Sequence, residues 1–262
     1  MAMRISKWLR SPRNVLELFI IANLGSLAGD VYIAHQVNAF EQRPEWIPFY
    51  FSLAAPLLLI IGVIAHRTRA IVGHLVGWSS LIVGVAGMLF HLQSHFFVEQ
   101  SLKSLVYTAP FVAPLAYAGL GLLLIMDRMT DPESLDWSRW ILLLALGGFA
   151  GNFVLSLADH AQNGFFHRTE WVPVIAAALA CAFLFMLVLK PEDVALLRAA
   201  TWLMLIEIIV GIAGFALHLR GNLALPSPDL WERFLYGAPI FAPLLFANLA
   251  MLAGVGVWGV KR

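Results

Sequence analysis

Apolar residues run along this chain in eight long blocks, near 15–37, 47–66, 71–94, 105–127, 138–160, 169–189, 196–219 and 235–259, separated by short polar interruptions. A helix needs about 20 consecutive mostly apolar residues to cross the hydrocarbon core of a bilayer, because each residue advances the axis by only about 1.5 Å. Every block meets that length, so the pattern predicts eight transmembrane helices. The longest interruptions, 127–139 and 219–235, hold roughly a dozen residues each, too few for a soluble domain. The fold class expected is an all-α integral membrane protein forming one membrane domain. The basic stretch Arg4, Lys7, Arg10 and Arg13 imitates the start of a signal peptide. The apolar run behind it is too long, however, and no small-residue cleavage site follows, so it reads as a retained first helix.

Composition agrees with the pattern. Of 262 residues, 60% are hydrophobic and 13% charged, which leaves too little polar surface to clothe a water-soluble globule of this size. The 17 basic and 16 acidic residues nearly cancel, so no field exists to recruit nucleic acid. The single Cys181 lies in an apolar stretch and reads as a small buried hydrophobe. Lys and Arg set the orientation. With a cytoplasmic N-terminus, Arg4, Lys7, Arg10, Arg13, Arg67, Arg69, Arg128, Arg139, Lys190, Arg198, Lys261 and Arg262 fall inside and Arg43, Lys103, Arg168, Arg220 and Arg233 outside, a split of 12 to 5. Both termini are then expected in the cytoplasm, in a bacterial inner (plasma) membrane.

The chain also repeats itself. His35, Asn38, Phe40, Glu45, Trp46 and Pro48 match His160, Asn163, Phe165, Glu170, Trp171 and Pro173 at an offset of 125. Gly84, Gly87 and His91 match Gly211, Gly214 and His218 at 127, and Tyr107, Ala109-Pro110 and Ala113-Pro114 match Tyr236, Ala238-Pro239 and Ala242-Pro243 at 129. The expectation is a tandem repeat of two four-helix halves, 1–130 and 131–262. Because each half holds an even number of helices, both enter the membrane in the same sense, which makes the repeat parallel.

What the halves share is one set of polar residues at one depth. His35 and His160 close the first helix of each half, His91 and His218 close the third, and all four are expected near the extracytoplasmic face. Neutral imidazole is a common metal ligand, so these four are the candidate metal or cofactor ligands. The expected cofactor is haem b or a copper, iron or zinc ion. Asn38, Asn163 and His167 share helical spacing with the first-helix histidines, as do His95 and Asn222 with the third, and Asp159 adjoins His160. With Tyr107 and Tyr236 these are candidate additional ligands or supporting residues. Glu45 and Glu170 read as helix-capping acids more than ligands. Gly84, Gly87, Gly211 and Gly214 make a flat stripe beside each third-helix histidine, which suits close helix packing and would also relieve a haem lying against it. No Cys pairs exist for an iron–sulfur cluster or covalent haem.

Glu207 falls mid-way along the seventh block, where an exposed carboxylate costs about 2.5–3.5 kcal/mol, so it is expected to face other helices. Asp30 is a second acid without a repeat partner. Walker, Rossmann, HExxH and Gly-x-Ser-x-Gly motifs are absent. The expected function is therefore a metal- or haem-binding redox subunit in the membrane, with lipid, other membrane subunits and quinone as the partner classes. The alternatives are a non-catalytic scaffold of a larger membrane complex and a small-solute or ion transporter.

Overall fold

A computed structural model describes residues 10–261; Arg4, Lys7 and Arg262, counted above among the inside cations, lie outside the described residues. The described chain is helical and contains no β-strand. Its principal helices are α1 (Pro12–Gln36), α2 (Trp46–Ile64), α3 (Arg69–Gln93), α4 (Leu115–Met129), α5 (Leu135–Gln162), α6 (Trp171–Leu189), α7 (Val194–Leu223) and α8 (Leu244–Val260). Six of them, α1, α2, α3, α5, α6 and α7, are long and apolar enough to cross a membrane, three with the help of the 3-10 turns that precede α2, α3 and α6. This is a membrane-type helical protein.

The fourth and eighth blocks behave differently from the expectation of continuous spans. Each is split into a short helix (Leu102–Tyr107 or Leu230–Leu235), an irregular stretch, and a helix of 15 (α4) or 17 (α8) residues. The repeated Ala-Pro-x-x-Ala-Pro explains the break. Proline removes a backbone donor and pushes the residue before it out of helical geometry, so α4 and α8 begin only after the second proline, with Pro114 and Pro243 as their N-caps. At 1.5 Å per residue these helices are about 22 and 26 Å long, less than the roughly 30 Å hydrocarbon core.

Helix neighbours form two rings. In one, α1 packs on α2, α2 on α3, α3 on α4 and α4 on α1; in the other, α5, α6, α7 and α8 pack in the same cyclic order, and α4–α5 and α1–α8 contacts join the rings. The large buried side chains Leu16, Ile20, Leu24, Ile141, Leu142 and Phe149 lie on α1 and α5, the helices through which each ring meets the other. Elsewhere Leu, Ile, Val and Phe side chains stand exposed in large number, Leu57, Ile71, Leu75, Ile82, Ile209 and Ile212 among them. Water would not tolerate that surface, but acyl chains cover it at no cost.

The glycine stripes of α3 and α7 are used for packing. A Cβ on Gly87 would come 2.8 Å from Cβ of Pro114, and one on Gly214 would come 2.8 Å from Cβ of Pro243. Gly84 and Gly211 likewise face the backbone at the start of α4 and α8. The relief that a haem would need at these positions is therefore filled by proline, and close helix packing is the role the structure assigns to them.

Candidate functional site

The ends of α1 and α5 are built alike. Phe40 N–H bonds back to the His35 carbonyl at 3.1 Å and Phe165 N–H to the His160 carbonyl at 3.0 Å, six-to-one closures that stop each helix within two residues of its histidine. Left-handed residues make the reversal: Ala39 and Phe40 in one case, Gly164 and Phe165 in the other. Phe40 then stacks on Trp46 and Phe165 on Trp171, each with ring centres 4.0 Å apart, which docks the following helix and fixes where the histidine sits.

His91 and His218 are held by the proline-rich entries to α4 and α8. A backbone stretch outside helical hydrogen bonding needs other partners for its polar groups. His91 Nδ1 lies 3.0 Å from the Pro110 carbonyl and His218 Nδ1 2.9 Å from the Pro239 carbonyl. His35 Nδ1 lies 3.0 Å from the Val31 carbonyl one turn back on α1. A carbonyl only accepts, so each of these rings donates its Nδ1–H and carries its lone pair on Nε2. That is the tautomer in which an imidazole binds a metal through Nε2, oriented by the bond on its other nitrogen.

The two halves differ in what they bring together. His35 and His91 converge, with ring centres 6.1 Å apart and planes inclined by 57°. Glu45 stands in electrostatic reach of His91. Its Oε1 accepts from Asn38 Nδ2 at 2.8 Å, while its Oε2 is buried without a hydrogen-bond partner. In the second half no ring contact links His160 to His218 among the described residues, although the charge of His218 reaches His160. Glu170 Oε2 instead lies 3.9 Å from His160 Nδ1. Both acids stand at the helix entries, in the 3-10 turns that open α2 and α6, as expected, although neither makes a side-chain cap bond; Glu45 is held by Asn38 and Glu170 turns to His160.

The remaining candidates spread out. Asn163 donates to the Asp159 carbonyl at 3.4 Å, not to Glu170. Asn222, offered as a possible ligand, is buried in a two-way clasp on Ala238, donating to its carbonyl at 2.9 Å and accepting from its N–H at 2.7 Å. In the first half the hydroxyl of Ser94 accepts from Ala109 N–H at 2.9 Å in the same way. His95 and His167 are exposed residues at the starts of short helical turns, and Tyr107 and Tyr236 are exposed, as belt aromatics are. Asp159 lines a small cavity of about 30 Å³ with Thr108 and Gln162. Asp30 is exposed on α1. Glu207 is fully buried, turned toward other helices, and neither carboxylate oxygen has a hydrogen-bond partner. Among the described residues no three His, Cys, Asp or Glu side chains converge as a metal cluster.

A richer aromatic wall surrounds the first-half pair. Tyr32 faces Phe40 at 5.8 Å, Phe49 at 5.7 Å and Trp231 at 6.3 Å, and Phe40 stacks on His35 at 5.7 Å. Trp231 comes from the short helix Leu230–Leu235 of the second half, so one half roofs the site of the other.

Sequence reasoning does not single out the most strongly paired charges, which lie at the opposite ends of the helices. Glu17 of α1 and Asp127 of α4 are 1% exposed. Arg128 bridges both carboxylates, Arg69 adds a second bond to Glu17, and Arg13 Nε reaches Asp127 at 3.2 Å. Trp137 Nε1 of α5 donates to Asp127 at 3.1 Å and ties the second half to the network. The available signal was Glu17 itself, an acid placed inside an apolar run.

Comparison of the sequence with family models and curated proteins, and of the fold with solved structures, gives no match.

Proposed function

We propose that this chain is a membrane subunit that holds a transition-metal ion between His35 and His91 near the extracytoplasmic face and uses it to pass electrons. The observation that carries the reading is the imidazole pair, 6.1 Å between ring centres, with both Nδ1–H groups spent on backbone carbonyls and both Nε2 lone pairs left over. Two rings ligating one ion from opposite sides have centres about 6.3 Å apart, from two bonds of about 2.0–2.1 Å and about 1.1 Å inside each ring. Glu45 Oε2, buried without a hydrogen-bond partner and within electrostatic reach of His91, is the candidate additional donor. Imidazole suits copper, iron and zinc, and an electron-carrying role selects copper or iron because zinc has no redox chemistry. A bare ion fits better than haem, given the prolines against Gly87 and Gly214.

The scaffold proposed for this site is eight spans arranged as two parallel four-helix halves with both termini cytoplasmic. Its support is the cyclic helix order common to both rings and the matched helix ends at residues 125 apart. The short α4 and α8 complete their crossings through the irregular stretches before them. An impermeant thiol reagent on intact cells should then label Glu41→Cys and His167→Cys but not Asp131→Cys; labelling of the last would refute the fourth span.

One observation favours a second reading, that of a scaffold subunit without a metal: His91 and His218 already serve the fold by satisfying the Pro110 and Pro239 carbonyls. Elemental analysis of the purified protein, with a visible spectrum to detect haem, separates the two. The site reading expects copper or iron that is lost in His35→Ala and retained in His160→Ala. Absence of any bound metal would leave the scaffold.

A further inference from the structure

The second ring has a feature with no counterpart in the reading above. Between α7 and α8, at the end of the bundle remote from the histidines, a groove of about 380 Å³ is walled by Met204, Leu205, Ile208, Met251 and Gly254. Its volume suits a length of acyl chain, and its walls are apolar except for Thr201, whose hydroxyl is already spent on the Leu197 carbonyl at 2.7 Å. Gly254 leaves its floor open, since a Cβ there would meet nothing within 4 Å. Trp258 and Lys261 form the mouth, at the depth where an indole and an ammonium sit at a membrane interface.

The mouth is positively charged. Arg198 lies seven residues before Leu205, about two turns along the same face of α7, and so at the end of the groove that Thr201 and Lys261 also line. Both are exposed, and neither makes an ion pair with an acid among the described residues. This contrasts with Arg13, Arg69 and Arg128 in the first ring, each spent on a buried carboxylate. An apolar trough ending in two unspent cations and an interfacial indole has the shape and charge of an amphiphile with an anionic head.

We infer that the α7–α8 groove is a binding site for an anionic phospholipid, its phosphate between Arg198 and Lys261 and one acyl chain along Met204, Leu205 and Gly254. Basic pockets between helices at a membrane surface recognise such headgroups, with each cation near the surface contributing about a fivefold factor in affinity.

The test uses the full chain in detergent, titrated with phosphatidylglycerol or phosphatidylcholine and read by native mass spectrometry. Wild type should bind one phosphatidylglycerol in preference to phosphatidylcholine. Arg198→Gln with Lys261→Gln should weaken phosphatidylglycerol by about 25-fold, two fivefold factors, and leave phosphatidylcholine unchanged. Gly254→Leu fills the trough and should displace the lipid while the helical circular dichroism signal is kept. Equal binding of the two lipids, insensitivity to the double variant, or undiminished binding to Gly254→Leu would each overturn the inference. If Gly254→Leu fails to fold, Met251→Trp tests the same trough from its wall, and undiminished binding there overturns it equally.

Discussion

Arg128 should be the most expensive surface-end residue to remove. Its side chain is 4% exposed and bridges two carboxylates that are themselves 1% exposed. Replacing it with Met keeps the stem's volume but deletes a cation that Glu17 and Asp127 share. Breaking a buried ion pair from one side costs about 3–5 kcal/mol, because a charge remains buried without its partner. Here each carboxylate keeps a second cation, Arg69 on Glu17 and Arg13 on Asp127, so the lower end, about 3 kcal/mol, is the expected cost. Arg13, by contrast, has a side chain 29% exposed, and solvent screens its pair, so Arg13→Gln should cost about 1 kcal/mol or less. In thermal unfolding in detergent, at about 2–4 °C per kcal/mol for a chain of this size, Arg128→Met should lower the midpoint by about 6–12 °C and Arg13→Gln by no more than about 4 °C. Equal shifts for the two variants would refute the reading of Arg128 as the keystone of this network.

Three further outcomes follow from the packing. Glu207→Met should raise stability by about 1–3 kcal/mol in the same assay, since it removes a fully buried carboxyl group whose oxygens have no hydrogen-bond partner; a loss would mean the group is bonded after all. Asn222→Ala should cost about 1–3 kcal/mol by orphaning both backbone groups of Ala238, and Asn222→Asp should cost at least as much, because it sets a second acceptor against the Ala238 carbonyl. Gly87→Ala should lower stability by about 1–3 kcal/mol because its Cβ meets Pro114, whereas Gly29→Ala, which meets nothing within 4 Å, should be neutral or stabilising.

The membrane character, the helix positions and the reversals after His35 and His160 were legible because hydrophobic length and local punctuation are properties of contiguous sequence. The shortening of α4 and α8 was legible only in part: the Ala-Pro-x-x-Ala-Pro motif announced a helix entry, but which proline would be the N-cap depends on the side-chain partners that His91 of α3 and Ser94 at its C-cap supply to the Pro110 carbonyl and the Ala109 N–H. The role of Asn222 was hidden for the same reason, since Ala238 lies 16 residues away and nothing local points to it. The Glu17–Arg128–Asp127 network spans more than a hundred residues and has no counterpart in the second half, where Leu142 stands at the position matching Glu17. A repeat comparison finds what the halves share and passes over what only one of them has.

An ion held by His35 and His91, as proposed, would be seen in X-ray absorption at the edge of the bound metal. The wild-type spectrum should show an imidazole shell at about 2.0–2.1 Å with the outer-shell scattering of two rings, reduced to one ring or lost in His91→Ala and unchanged in His218→Ala. A spectrum without imidazole scattering, or one that His91→Ala leaves unaltered, would contradict it.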